Sequence, residues 1–98
     1  MYYAIVKLVF DIDTATKADH SEFYKVTNKI KSKFKISVLS SLEATKHTNS
    51  YYIVFAILDK TPQSISAKID KIISICEEQG IGRIISEKSV LDHIETLF

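Results

Sequence analysis

Tyr2-Tyr3-Ala4-Ile5-Val6-Lys7-Leu8-Val9-Phe10 and Tyr51-Tyr52-Ile53-Val54-Phe55-Ala56-Ile57-Leu58 are the two stretches that decide the fold. Both have the length of a strand and are rich in β-branched and aromatic residues. Each is followed by a segment of helical spacing and then by another short apolar run. The order is strand–helix–strand, twice, and a short chain with that order has few compact solutions. It predicts an α+β ferredoxin-like βαββαβ sandwich, with a four-stranded antiparallel sheet, two helices on one face, and the two most apolar strands in the middle.

Within the first stretch, extended to residue 12, the even positions Tyr2, Ala4, Val6, Leu8, Phe10 and Ile12 are all apolar or aromatic. The odd positions Tyr3, Ile5 and Val9 are apolar too, broken by Lys7 and ended by Asp11. A strand apolar on both sides belongs in the centre of a sheet. Residues 13–20 are polar turn material, and Asp19 or Ser21 is a candidate helix cap. Phe23, Val26 and Ile30 then fall on one face of a helix over 21–33. Phe34, Ile36 and Val38 alternate with Lys35 and Ser37, which predicts a half-buried edge strand over 34–43. Residues 44–50 read as a hairpin loop.

The second apolar stretch is continuous over 51–58. Thr61 and Pro62 then mark a helix start, with Thr61 as N-cap. Ile65, Ile69, Ile72, Ile73 and Cys76 form one apolar helix face. Gly80 and Gly82 end that helix. A last strand is expected over about 82–88 from its isoleucines, and 89–98 fits either a helical turn or an edge extension of that strand.

A chain of 98 residues is one domain, 1–98, large enough to bury a single core. The net charge of +1 gives no global field toward nucleic acid or membrane. Cys76 stands alone, which excludes an internal disulfide and a multi-cysteine zinc site and fits a reducing cytoplasm. The apolar runs are too short for a membrane helix. Met1-Tyr2-Tyr3 enters a strand with no basic region ahead of it, which argues against a signal peptide.

Chemistry-bearing residues are sparse. His20, His47 and His93 are scattered without metal-ligand spacing. Cys76 lies on an apolar helix face with no patterned cation beside it and reads as core. Asp11 and Asp13 could share a Mg²⁺ ion, or simply shape a turn. Neither glycine opens a helix, so there is no phosphate loop. An acylphosphatase-type enzyme needs an arginine in a glycine-containing loop after the first strand, and Arg83 is the only arginine. An RNA-recognition sheet needs paired aromatics. Tyr3 and Tyr51 offer one each, but Ile53 stands where the second is expected. No catalytic, cofactor or metal residue is assigned.

Two surfaces remain. Lys25, Lys29 and Lys33 fall four apart on one helix stripe, and residues 17–35 hold six lysines, Lys17 among them, against two acids. Such a stripe is usually a solvated face, and otherwise contacts RNA or a ribosomal particle through phosphate. The other surface is the sheet face that the two helices leave open. Tyr3, Ile5 and Val9, with Tyr51 and Ile53 from the second stretch, are expected to line it. An apolar face of this size meets a partner, most simply a second copy in a homodimer.

Lys29-Ile30-Lys31-Ser32-Lys33-Phe34-Lys35-Ile36-Ser37-Val38, Tyr52–Leu58 and Ile84-Ile85-Ser86-Glu87-Lys88 match a family pattern in their succession. With Lys17 at the end of a Ser-Leu-Lys position, where Ala15 and Thr16 replace the first two residues, the chain over 17–91 resembles the YlxP-like family of small bacterial domains. The family's tryptophan before the third strand is missing. The resemblance implies a ferredoxin-like fold, a dimer and a cytoplasmic setting near translation, and brings no catalytic residue. Val9-Phe10-Asp11-Ile12 also resembles the first strand of CRISPR-associated ferredoxin-like nucleases, which would place Asp11 as a metal ligand across a dimer interface. A third class is a regulatory domain that senses a small molecule at a dimer seam.

Overall fold

The computed structural model describes residues 1–11, 20–44 and 49–94, with backbone alone for 20–22, 42–44 and 49. The elements are β1 (Tyr2–Asp11), α1 (His20–Phe34), β2 (Val38–Ala44), β3 (Asn49–Asp59), α2 (Pro62–Gln79) and β4 (Arg83–His93). They form one antiparallel sheet in the order β2-β3-β1-β4, so the two most apolar strands are its centre. This is the ferredoxin-like α+β sandwich expected from the element order. Asp13, Lys17, Asp19 and His47, all considered above, lie outside the described residues, as does the side chain of His20.

Strand parity decides what is buried. Ala4, Val6, Leu8 and Phe10 of β1 and Tyr51, Ile53, Phe55 and Ile57 of β3 all point to the helix side and are buried. There they meet Phe23, Val26 and Ile30 of α1 and Ile65, Ile72, Ile75 and Cys76 of α2. Tyr51 keeps its hydroxyl satisfied inside this layer. It lies 2.8 Å from Thr27 Oγ1, which in turn donates to the Phe23 carbonyl at 3.0 Å. The Tyr51 and Phe23 rings stack at 4.5 Å between centroids.

Helix α2 is capped as its sequence predicts. Thr61 accepts from the Ser64 amide at 3.1 Å, and Gly80 ends the helix in the left-handed region at φ 65°. Asp59, just ahead of the helix, accepts from Ser64 Oγ and from Lys68 Nζ, both at 2.6 Å, and from the Lys60 amide at 2.7 Å. Lys68, with the Ser64 hydroxyl and the Lys60 amide, holds its carboxyl far below the usual carboxylate range. Burial pushes the Cys76 thiol up to about 12, which fits a core role.

Three boundaries differ from the sequence expectation. Residues 34–37 are not strand: α1 runs to Phe34, Lys35 turns the chain at φ 53°, and β2 begins at Val38. The alternation there is the helix end and its exit. Strand β3 starts at Asn49, inside the expected loop, and β4 runs on to His93, so 89–93 extend the edge strand. The β1–β4 register shifts between Val9 and Phe10, leaving Ile85 as the extra residue of a bulge.

Candidate interaction surface

Among the described residues no helix packs on the second face of the sheet. β1 sends Tyr3, Ile5, Lys7 and Val9 there, because Ala4, Val6, Leu8 and Phe10 take the core side. Antiparallel register then fixes the neighbours. Leu58, Tyr3 and Asp92 form one cross-strand row, and Ala56, Ile5 and Val90 the next. Leu39, Val54, Lys7 and Lys88 form the third, and Ser41, Tyr52, Val9 and Ser86 the fourth. On this face Ile5 is 48% exposed, Leu39 72%, Leu58 60% and Val90 59%. Large apolar side chains so exposed, and adjacent in register, make one patch rather than scattered singles.

Tyr51 and Ile53, expected on this face, are not part of it. They are 2% and 0% exposed, under the helices. The residues of β3 that share the face of Tyr3, Ile5 and Val9 are Tyr52, Val54, Ala56 and Leu58. An unbroken apolar strand carries no alternation of its own. The signal that does distinguish the faces is Lys7: it marks the solvent side of β1, and its register partner Val54 assigns the even positions of β3 to that side.

The face carries Asp92 in the Leu58–Tyr3 row and two lysines in the third row. Lys7 and Lys88 are directly opposite one another, an unfavourable like-charge pair in water. Lys7 Nζ lies 4.9 Å from the centroid of the Tyr52 ring, which offsets part of that repulsion. This row borders the apolar half built from Tyr3, Ile5, Ala56, Leu58 and Val90.

The lysine stripe is elsewhere. Lys25, Lys29 and Lys33 are all exposed on α1, in the layer on the far side of the sheet from the patch. The two surfaces expected from sequence therefore do not combine into one site. Asp11 ends β1 opposite Arg83, half-buried. Among the described residues no three His, Cys, Asp or Glu side chains come together as a metal site. His93 lies on β4 beside the Tyr2 ring, 4.6 Å between centroids. A shallow cavity of about 350 Å³ opens where β3 runs past the start of β2, lined by Phe34, Ile36, Ala56, Leu58 and Lys68 among others. Its Lys68 is committed to Asp59.

No protein-family model matches the chain. No curated protein matches it by sequence. Solved structures do match in fold. The chain is similar to the de novo designed protein Foldit4, at TM-score 0.63 and 7% identity, over 95% of this chain and 99% of that one. It is similar to the C-terminal domain of the MgtC protein from Mycobacterium tuberculosis, at TM-score 0.53 and 11% identity, over 94% and 88%. It is also similar to the ACT domain from GTP pyrophosphokinase of Chlorobium tepidum, at TM-score 0.51 and 16% identity, over 90% and 96%. At these identities the likeness is one of fold, a fold that supports many unrelated functions. Among the described residues no helix is long and apolar enough to cross a membrane.

Proposed function

We propose that this chain is a non-catalytic binding domain that works by self-association, with the bare face of its sheet as the contact surface. The observation that carries this is the patch itself: Ile5, Leu58 and Val90 are about half exposed or more, in adjacent rows, on a sheet face that no helix among the described residues covers. A second copy supplies the same apolar surface in an isologous contact. Kinship with the YlxP-like domains, proposed on the residue patterns given above, would bring the same expectation of a dimer. The stripe Lys25–Lys29–Lys33 is assigned to solvent: RNA contact there has only the exposed lysines in its favour. A nuclease role for Asp11 has no clustered ligands to support it among the described residues.

Light scattering on the eluting protein tests the proposal. The native mass is expected at a multiple of the 11.1 kDa chain, and Leu58→Glu is expected to halve it at the same concentration. Leu58 is 60% exposed, on the sheet face turned away from the core, so the fold is retained. Each copy loses the burial of one leucine, about 1.5–3 kcal/mol. The loss counts twice across a two-fold contact, so the dissociation constant rises at least about 100-fold. An unchanged mass would rule the face out as the contact.

A further inference from the structure

The edge of the sheet carries a second pattern that the bare face does not explain. β4 is the outermost strand, Arg83–His93, and pairs with β1 on one side only. Its residues from Glu87 to His93 are exposed on both faces, so neither layer of this molecule covers it. Among the described residues no strand pairs with its outer side, although at its end the His93 amide donates to Asp92 Oδ1 at 2.7 Å. Such an edge is a template for another strand, and proteins normally guard it with a lysine. Lys88 fits that guard. Asp92, four residues on and on the same side of the strand, does not: together the two make the edge self-matching.

We propose that β4 pairs antiparallel with the β4 of a second copy, in the register that sets Val90 opposite the partner's Val90. In a two-fold pairing about an axis perpendicular to the sheet, residues equally distant on either side of Val90 face each other. Lys88 then lies opposite the partner's Asp92, and Glu87 opposite the partner's His93, each pair occurring twice. Ser89 lies opposite the partner's Leu91. Neighbouring registers lack this match. Centred on Lys88 or Glu87, the strands set like charges against each other. Centred on Ser89, they leave Lys88 against Val90 and Glu87 against Leu91. Centred on Leu91, they set Asp92 against Val90. Opposite charges directly across an antiparallel pair are favourable, and like charges are not.

The layers permit this approach. α2 packs on β1 and β3, and Glu87, Ser89 and Leu91, on the helix side of β4, are exposed. The helices therefore stop short of the edge, and two copies meet without their helices colliding. The bare faces stay on the same side, and the apolar row Ala56–Ile5–Val90 continues into its copy across six strands of the joined sheet. This contact lies in the plane of the sheet, whereas the proposed face contact is perpendicular to it, so the two are independent.

A cysteine at the axis tests the register. Cα atoms of directly opposite residues lie about 4.5–5.5 Å apart, within the roughly 4.4–6.8 Å that a disulfide spans. Val90→Cys is expected to cross-link into a covalent dimer on mild oxidation, in most of the protein. Ile85→Cys, on the same strand and comparably exposed, is expected to stay monomeric on a denaturing gel, because the register carries the two copies of that position far apart. Cys76 is buried and takes no part. The Val90→Cys link should persist when Leu58→Glu is added, which separates the edge contact from the face contact. Independently, Lys88→Asp should halve the native mass, and Lys88→Asp with Asp92→Lys should restore it. Equal cross-linking at both cysteine positions would overturn the register. Loss of the link on adding Leu58→Glu, or a mass unmoved by Lys88→Asp, would overturn the edge contact itself.

Discussion

Ile53→Asp is expected to unfold the domain, whereas Ile5→Asp leaves it folded. Both residues are isoleucines in the two central strands, and their sequence neighbourhoods look alike. Ile53 is fully buried between β3 and the helices, while Ile5 is about half exposed on the bare face. Losing the packing of a buried isoleucine costs about 2–5 kcal/mol. The carboxylate adds the cost of a charge buried without a partner, several kcal/mol more. A domain of this size holds only about 5–15 kcal/mol in all. Ile5→Asp loses strand propensity, about 1 kcal/mol. Circular dichroism with a urea titration separates the two. A cooperative transition for Ile53→Asp near that of the native protein would mean that the strand parity is reversed.

Tyr51→Ala is expected to cost about 3–5 kcal/mol, against about 0.5–1.5 kcal/mol for Tyr51→Phe. The ring of Tyr51 is a large, fully enclosed side chain stacked on Phe23, and its removal leaves a cavity between β3 and α1. The phenylalanine keeps the ring and loses only the hydroxyl. Thr27 Oγ1 still donates to the Phe23 carbonyl in that variant, so no buried hydroxyl is stranded. Denaturant midpoints at unchanged slope give both values. Equal, small losses from the two variants would place Tyr51 on the surface, where an unaided reading of its strand puts it.

That contrast shows where the sequence is legible. The order of elements and the central place of β1 and β3 follow from two apolar runs and two helical periods. The caps Thr61 and Gly80 follow from the chemistry of chain reversal. The face of β3 does not follow from its own residues, since Tyr51–Leu58 contain no polar position to mark a side. It follows from β1, where Lys7 among apolar neighbours identifies the outer face and register transmits that identity to Val54. The exit of α1 was hidden for a different reason. Lys35 takes a positive φ that glycine usually signals, so the alternation of 34–38 imitates a strand. The length of β4 was hidden because both sides of residues 87–93 face solvent. An edge strand covered on neither side has no burial period to read.

The bare sheet face was legible as a class of surface and not as a list of residues. Tyr3, Ile5 and Val9 are where their parity puts them, and Tyr52, Val54, Ala56 and Leu58 complete the face that Tyr51 and Ile53 had been expected to share. Lys25, Lys29 and Lys33 are exposed as their spacing requires, yet on the opposite layer. Sequence spacing shows which residues share an element's face. It does not show which side of the molecule that face looks toward.

The central claim, that the bare sheet face is covered by association, is tested most directly by a soluble paramagnetic agent and methyl NMR. In a dilute sample the Ile5 and Leu58 methyls should relax strongly. In a concentrated sample, where the mass is a multiple of the chain's, they should be shielded, while the Tyr24 ring on α1 stays accessible throughout. Full accessibility of Ile5 and Leu58 at that concentration would contradict the account.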